Sequence, residues 1–380
     1  MHCVTVGARY VGSGLPDAAP IAVGQTHDSA SATSIDSVAT ITMVIVVGPF
    51  VADEHLERGH PERPDRMGAV MAGIYDLHLG SDLTVLPGRP AELAELGRVH
   101  THDYLDGLQR FCAAGGGALD PDTYATVASW ENALLAAGGG LVAVEALRSR
   151  GSGVAFVAAR PPGHHALAER SMGFCLINNV AVTAAALVES GERVLVVDWD
   201  VHHGNGTQAI FWDVPEVLYV STHQWPSYPG SGHASEVGGP RSRGTTLNIP
   251  LPQGATGDVL RRAFDQLVAP AVEAFDPTWV LVSAGFDAHR ADPLADLDLS
   301  AGDFADLAHT VAEYAPEPGR LVLFLEGGYD LSALRSSVSA TLGRLVEAPG
   351  EHETPTSGGP GAHELRELAE QRHQALERLR

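Results

Sequence analysis

Residues 193–206 read RVLVVDWDVHHGNG. Val194–Val197 is an apolar run of the length and composition of a strand buried on both faces. It ends in two carboxylates and two imidazoles, Asp198, Asp200, His202 and His203, followed by Gly204, Asn205 and Gly206, where the chain turns. Other apolar runs end in the same manner. Val154–Ala159 leads into RPPGHHA, with His164 and His165; Trp279–Ser283 leads into GFDAHRADP, with Asp287 and His289; Leu321–Leu325 leads into EGGYD, with Tyr329. Met43–Val47 and Val217–Ser221 are further strand candidates, and helices are expected at 65–78, 130–148, 177–190, 258–274, 302–314 and 331–346. Strands separated by helices predict an α/β fold, a single open and mainly parallel sheet flanked by helices. Ligands of such sheets bind beyond the carboxyl ends of the strands, so these polar ends are expected to converge on one pocket.

The chain has 380 residues, 44% of them hydrophobic, enough for a sizeable core. With 24 Lys and Arg against 47 Asp and Glu, the net charge is −23. That balance argues against broad nucleic-acid binding, which needs basic patches, and is compatible with cationic substrates. Cys3, Cys112 and Cys175 are too scattered for a disulfide framework or a thiolate zinc site, so a reducing, cytoplasmic setting is expected. The apolar run at Met43–Val47 is far shorter than the roughly 20 residues of a membrane span and follows no basic n-region, so no membrane partner is expected. Residues 1–40, rich in Ala, Ser, Thr, Gly and Asp, read as a flexible extension; a natural start at Met43 is the other reading. Residues 41–347 are expected to form the main α/β domain that carries these strand ends, 348–361 a linker and 362–380 an amphipathic helix, solvated or loosely docked, with Leu365, Leu368, Ala369, Ala375, Leu376 and Leu379 near one face.

If the chain stays extended after Val197, Asp198, Asp200 and His202 point to one side, because strand side chains alternate with period two. Two carboxylates and an imidazole on one face must be metal-bound, ionic or strongly hydrogen-bonded. Asp200, His202 and Asp287 form a hard-to-borderline set suited to Zn²⁺ or Fe²⁺ with one position open to water. His203 points the other way and is assigned a structural role. His164 and His165, presented at a Pro-Pro-Gly turn, suit general acid and base work near neutral pH, with Asp198 orienting one of them. Tyr329 beside Gly327-Gly328 suits a phenol donor that stabilises an oxyanion. The composite reads as metal-assisted hydrolysis of an amide or ester. No G-x-S-x-G elbow or P-loop supports a serine hydrolase or nucleotide-binding reading.

The blocks HPERPDRM, RPPGHHA, MGFCLINN, DWDVHHGNGTQ, YPGSG, SAGFDAHRADPL and LEGGYD, in this order across about residues 44–346, resemble the histone deacetylase family, acetylpolyamine amidohydrolases included. DWDVHHGNGTQ and LEGGY are closer to its class II branch and bacterial relatives. The resemblance implies an arginase–deacetylase fold and a Zn²⁺-dependent deacylase. Asp200, His202 and Asp287 match metal ligands, and His164 and His165 the tandem histidines. His165 is then the general base and later acid, and His164, backed by Asp198, the charge stabiliser. Tyr329 matches the oxyanion-stabilising tyrosine. Gly173 and Phe174 match the acyl channel, with Tyr228 as its opposite wall, Leu294 as an apolar gatekeeper and Asp122 as an acidic substrate-binding residue on the rim. Arg66 matches an arginine buried behind the site. The family's structural K⁺ site maps to Asp198, Asp200, His202, Ser221 and Thr222, and a second monovalent site to Phe211, Val214 and Val217.

Two departures bear on this expectation. Asn205 stands where class I members carry a carboxylate behind the second histidine, which makes His165 less basic; class II members share it. Leu294 replaces the acidic gatekeeper that favours polyamines in some relatives. DAHRAD resembles an arginase segment, but the HH pair and GGYD do not fit that two-manganese branch. The expected activity is hydrolysis of an N-acyl amide of lysine or a related amine. The alternatives are an acetylpolyamine or other small-molecule amidohydrolase, and a catalytically silent acyl-amine binding module. A homo-oligomer is compatible with the family.

Overall fold

A computed structural model describes residues 41–48, 54–350 and 352–378, with side chains described through Gln374. The expected extension at 1–40 lies outside the described residues. The strands are β1 (Val44–Val47), β2 (Leu83–Leu86), β3 (Gly117–Ala118), β4 (Tyr124–Ala125), β5 (Val154–Val157), β6 (Val194–Asp198), β7 (Val217–Gln224), β8 (Thr246–Leu251), β9 (Trp279–Ala284) and β10 (Leu321–Leu325). The helices are α1 (Asp65–Tyr75), α2 (Leu93–Leu96), α3 (His102–Ala113), α4 (Ser129–Arg150), α5 (Asn179–Glu189) and α6 (Asn205–Phe211). They continue with α7 (Gly257–Ala263), α8 (Ala269–Phe275), α9 (Ala301–Glu313), α10 (Leu331–Leu345) and α11 (Glu364–Arg378).

Eight strands form one sheet in the order β2-β1-β5-β10-β9-β6-β7-β8, every pair parallel. β3 and β4 form a separate antiparallel ribbon. The chain matches the expected α/β architecture because the central strands are apolar over nearly all of their length, with polar residues such as Asp198 and Ser283 only at their carboxyl ends. Val44, Phe156, Leu195, Val280 and Leu323 enter one core, while their neighbours Ile45, Val157, Val196, Leu281 and Phe324 enter the other. Helices α1, α7, α9 and α10 cover the first face and α3, α4 and α5 the second. Two covered faces leave the strand ends as the place where polar groups meet.

Several boundaries differ from expectation. The helix expected at 258–274 is interrupted by a π turn over Phe264–Val268, between α7 and α8. β7 runs on to Gln224 because β8 continues beside it and pairs His223 with Pro250 and Gln224 with Leu251. β8 and β2 were not anticipated. β8 carries Pro250 and Asn248, which break an apolar run, but it lies at the sheet edge, where proline is tolerated. β2 is the opposite edge and only partly buried. The stretch expected as a linker is pinned to the domain: Thr356 N–H and Oγ1 donate to Asp303, and Gly359 N–H donates to Thr256 Oγ1 at 2.8 Å. α11 is docked, with Leu365 and Leu368 buried in the first core and the Arg372 guanidinium donating to the carbonyls of Gly244 and Thr246. Among the described residues no helix is long and apolar enough to cross a membrane.

α4 meets the sheet through glycine. A Cβ at Gly140 would lie 2.1 Å from Thr183 Oγ1 and 2.5 Å from the Phe324 ring. Overpacking a core costs about 1–3 kcal/mol, whereas alanine gains roughly 1 kcal/mol over glycine in a helix. Gly140→Ala is therefore expected to destabilise the protein, lowering the urea midpoint with an unchanged m-value.

Candidate active site

β6 ends at Asp198, and the chain bends there rather than staying extended. Asp200 N–H donates to Asp198 Oδ1 at 3.2 Å, and His202 N–H to Asp200 Oδ1 at 2.9 Å. These side-chain-closed turns send Asp198 to His164 and bring Asp200 and His202 to Asp287. Asp287 arrives from the loop after β9, where its Oδ1 accepts from Val201 N–H at 3.0 Å. One ligand atom each from Asp200, His202 and Asp287 lies within 4.8 Å of the others. His202 Nδ1 is 3.2 Å from both Asp200 Oδ1 and Asp287 Oδ2.

Both carboxylates are buried, and Asp287 Oδ2 has no well-formed hydrogen bond. Burial opposes a charge on His202, yet bonds and charges from Asp200 and Asp287 raise its pKa to about 10. The trio therefore draws a cation to this point. The orphaned oxygen and the two-carboxylate, one-imidazole set fit a Zn²⁺ or Fe²⁺ ion. The backbone makes room for the carboxylates: a Cβ at Gly327 would lie 2.0 Å from Asp287 Oδ2.

The tandem histidines sit on the loop after β5 and differ in their partners. His164 Nδ1 is 3.0 Å from Asp198 Oδ2. Burial disfavours its charge, but Asp198, Asp200 and Glu326 outweigh that and hold its pKa well above the ordinary value. His165 Nδ1–H donates to Asn205 Oδ1 at 2.8 Å. Burial and the positive charges of His164 and His202 push His165 well below the ordinary value, outweighing the opposing effects of the Asp200 charge and the Asn205 hydrogen bond. The two rings lie 4.0 Å apart, one poised to carry charge and the other to stay neutral.

Tyr329 follows β10 and is 8% exposed. Burial drives its pKa well above 10 despite Arg66, so the phenol keeps its proton and donates. It faces the same cavity as Asp200, His202, His164 and His165, about 190 Å³ in volume. Gly173, Phe174, Tyr228, Leu294 and Asp122 line that cavity as well. Phe174 stands edge-on to Tyr329 at 5.7 Å, and Tyr228 edge-on to His165 at 5.1 Å. Tyr228 and Leu294 are the exposed members and mark the open end.

His289 does not join this pocket. Its Nδ1 accepts from Ala291 N–H, and its Nε2 is 3.4 Å from Glu353. The turn after Asp287 rotates it away. His203 also points away, bonded to Ser231 and Gln208. Of the residues mapped to monovalent ions, Asp198 and Ser221 are register partners in β6 and β7, and Thr222 Oγ1 is buried without a partner. Phe211, Val214 and Val217 lie on one turn, where Val214 N–H donates to Phe211 O and Val217 N–H to Val214 O.

Sequence reading missed the groups behind the site. Asp292 Oδ2 accepts from Tyr329 N–H at 2.6 Å, and burial followed by the Asp287 charge raises its pKa to about 7. Glu326 accepts from the N–H of Gly163 and His164 and from Ser283 Oγ. Arg66, which sequence did single out, donates to Gly328 O at 2.7 Å and to Glu326 O. Glu62 stands four residues before Arg66 in HPERPDR, the spacing of a helical ion pair and the one signal that pointed to it.

Residues 60–345 match the family model described as the histone deacetylase domain. The chain belongs to the histone deacetylase family. Histone deacetylase 10, chloroplastic, of Oryza sativa subsp. japonica is 40% identical over 316 residues, covering 78% of this chain and 71% of that one. The histone deacetylase-like amidohydrolase of Pseudomonas aeruginosa is 37% identical, covering 76% and 81% respectively. The crystal structure of the HDA15 HD domain superposes with a TM-score of 0.80 at 33% identity, covering 89% of this chain and 98% of that one. The chain thus shares the deacetylase fold, and its family is one of hydrolases acting on acetylated substrates.

Within this deacetylase domain, the neutral partner of His165 can be tested directly. A carboxylate at position 205 favours the protonated imidazole, so Asn205→Asp is expected to raise the His165 pKa. Histidine NMR titration reads the shift; an unchanged or lowered value contradicts the assignment.

Proposed function

We propose that this family member hydrolyses an N-acyl amide, most simply an acetyl amide, of lysine or a related amine. The observation that carries this reading is one cavity lined by Asp200 and His202, with Asp287 beside them, by two differently tuned histidines and by a Tyr329 that keeps its proton. Zn²⁺ or Fe²⁺ held by Asp200, His202 and Asp287 would supply Lewis acidity and a water of lowered pKa.

The chain's own groups do the rest. His165 is neutral with its Nδ1–H on Asn205, so Nε2 carries the free lone pair. That nitrogen takes the proton of the attacking water and returns it to the departing amine. His164, kept charged by Asp198, stabilises negative charge developing beside it. The Tyr329 hydroxyl donates to the acyl oxygen as it becomes an oxyanion. Gly173 and Phe174, opposite Tyr228, sleeve the methylenes of the amine arm and exclude water, and Asp122 at the rim accepts a donor from the substrate. The products are a carboxylate and a free amine.

A structural K⁺ near Asp198, Asp200, His202, Ser221 and Thr222 belongs to the same proposal, as does the second monovalent site at Phe211, Val214 and Val217. Relatives named chloroplastic widen the cytoplasmic expectation to a reducing compartment, which the free, buried Cys112 and Cys175 support. Leu294 at the rim offers no carboxylate to a second cation, which favours an acyl-lysine peptide over an acetylated polyamine.

The test is to strip the protein with chelator, restore Zn²⁺ or Fe²⁺, and compare turnover of an acetyl-lysine peptide with an acetylated polyamine. Metal-restored turnover with the peptide preferred is expected; polyamine preference would redirect the substrate assignment, and stoichiometric metal without turnover would favour a binding module. Tyr329→Phe removes the oxyanion donor and is expected to lower kcat roughly 10²–10³-fold. Wild-type kcat in that variant would exclude the phenol from the reaction.

A further inference from the structure

Glu62 is fully buried, lies outside the cavity lining and plays no part in the chemistry above. Its carboxylate lies between two fully buried guanidiniums. Arg66 Nη1 is 3.2 Å from Oε1; Arg160 places Nε on Oε1 and Nη2 on Oε2, the latter at 2.7 Å. His55 Nε2 is 3.5 Å from Oε2. Burial opposes the charge of Glu62, but the His55 contact and the two arginines outweigh it and hold its pKa well below the usual carboxylate range.

Each arginine belongs to a different half of the site. Arg66 donates Nε–H to Gly328 O and Nη2–H to Glu326 O, the carbonyls that bracket Gly327 just before Tyr329. Its Cζ lies 4.9 Å from the centroid of the Tyr329 ring. Arg160 opens the RPPGHH segment that carries His164 and His165 and also donates to His55 O at 3.0 Å. A guanidinium is a rigid planar fork, so a carboxylate fixed on one nitrogen orients the other two. Without Glu62, two buried cations would face each other with this counter-charge gone.

We propose that Glu62 is a positioning residue for Tyr329. It orients the Arg66 fork that grips the Glu326–Gly328 backbone, and through Arg160 it ties that grip to the turn of the tandem histidines. The inference rests on the deacylase reading for its kinetic consequence. A misplacement of about 1 Å in such a site costs on the order of 10²-fold in rate.

The experiment is a double-variant cycle on the full-length, metal-loaded protein with an acetyl-lysine peptide, using Glu62→Gln, Tyr329→Phe and the pair. Glu62→Gln is expected to lower kcat about 10–100-fold, with KM within about twofold and bound metal unchanged. Glu62→Asp, which keeps the charge, is expected to regain part of that loss. In the Tyr329→Phe background, adding Glu62→Gln is expected to cost less than about twofold more, since the group it positions is gone. Hydrogen exchange of the amides at 326–330 is expected to accelerate in Glu62→Gln whatever the turnover. Losses that multiply in the double variant, or unchanged kcat with unchanged exchange, overturn the proposal. Should Glu62→Gln fail to fold by circular dichroism, Arg66→Lys takes its place, keeping the cation but not the two-carbonyl grip; the same non-additivity is expected and additivity overturns it. A wild-type protein with no turnover defeats the deacylase reading, while the exchange rates at 326–330 still decide the positioning role.

Discussion

Asp198, Asp200 and Asp287 are each at most 1% exposed, just at or beyond the ends of two neighbouring strands. Burying one ionised carboxylate is costly, and burying three within a few ångströms is sustained only where cations and aligned N–H groups answer them. Most of the local architecture is that answer. His164 sits on Asp198, His202 lies between Asp200 and Asp287, and the N–H groups of Asp200, Val201, His202 and Gly327 donate to the same three carboxylates. Asp287 Oδ2 stays short of a well-formed hydrogen bond, and it is on this oxygen that the proposed metal ion would rest.

The sheet makes such a concentration of charge possible. Its central strands are apolar on both faces, so polar side chains cannot sit along them and accumulate beyond their carboxyl ends. β5, β10, β9 and β6 are consecutive neighbours in the sheet although far apart in sequence. That order brings the tandem histidines, Tyr329, Asp287 and the Asp200–His202 pair to one edge. A second layer of buried charge, Glu62, Arg66, Arg160 and Glu326, lies behind this first one and holds its loops.

Much of this was legible in the chain. Apolar runs that stop at His, Asp or Tyr announced both the parallel sheet and the side on which its pocket lies. Asp200, His202, Asp287, His164, His165 and Tyr329 stood out because each follows such a run, and Asn205 because it follows the HH pair in a glycine turn. The rim residues Asp122, Tyr228 and Leu294 were reached only through family resemblance. They lie on loops where no periodicity constrains the side chain. His289 misled because adjacency to Asp287 carries no information about which way a turn rotates. Edge strands β2 and β8 escaped notice because a half-buried strand has no need of a continuous apolar run.

The sequence by itself determined the fold class, the side of the sheet that carries chemistry and the identities of the groups that meet there, because burial on two faces writes itself into residue type. Only the tertiary structure decided the pairings. Asp198 turns to His164 while Asp200 turns to His202, through bends that period-two alternation does not describe. The pKa of His164 is raised chiefly by Asp198, 34 residues away, while that of His165 is lowered by burial and by the charges of His164 and His202. Glu62 meets Arg160 across 98 residues. Proton affinity depends on distance and burial, and those exist only once the strands have taken their order.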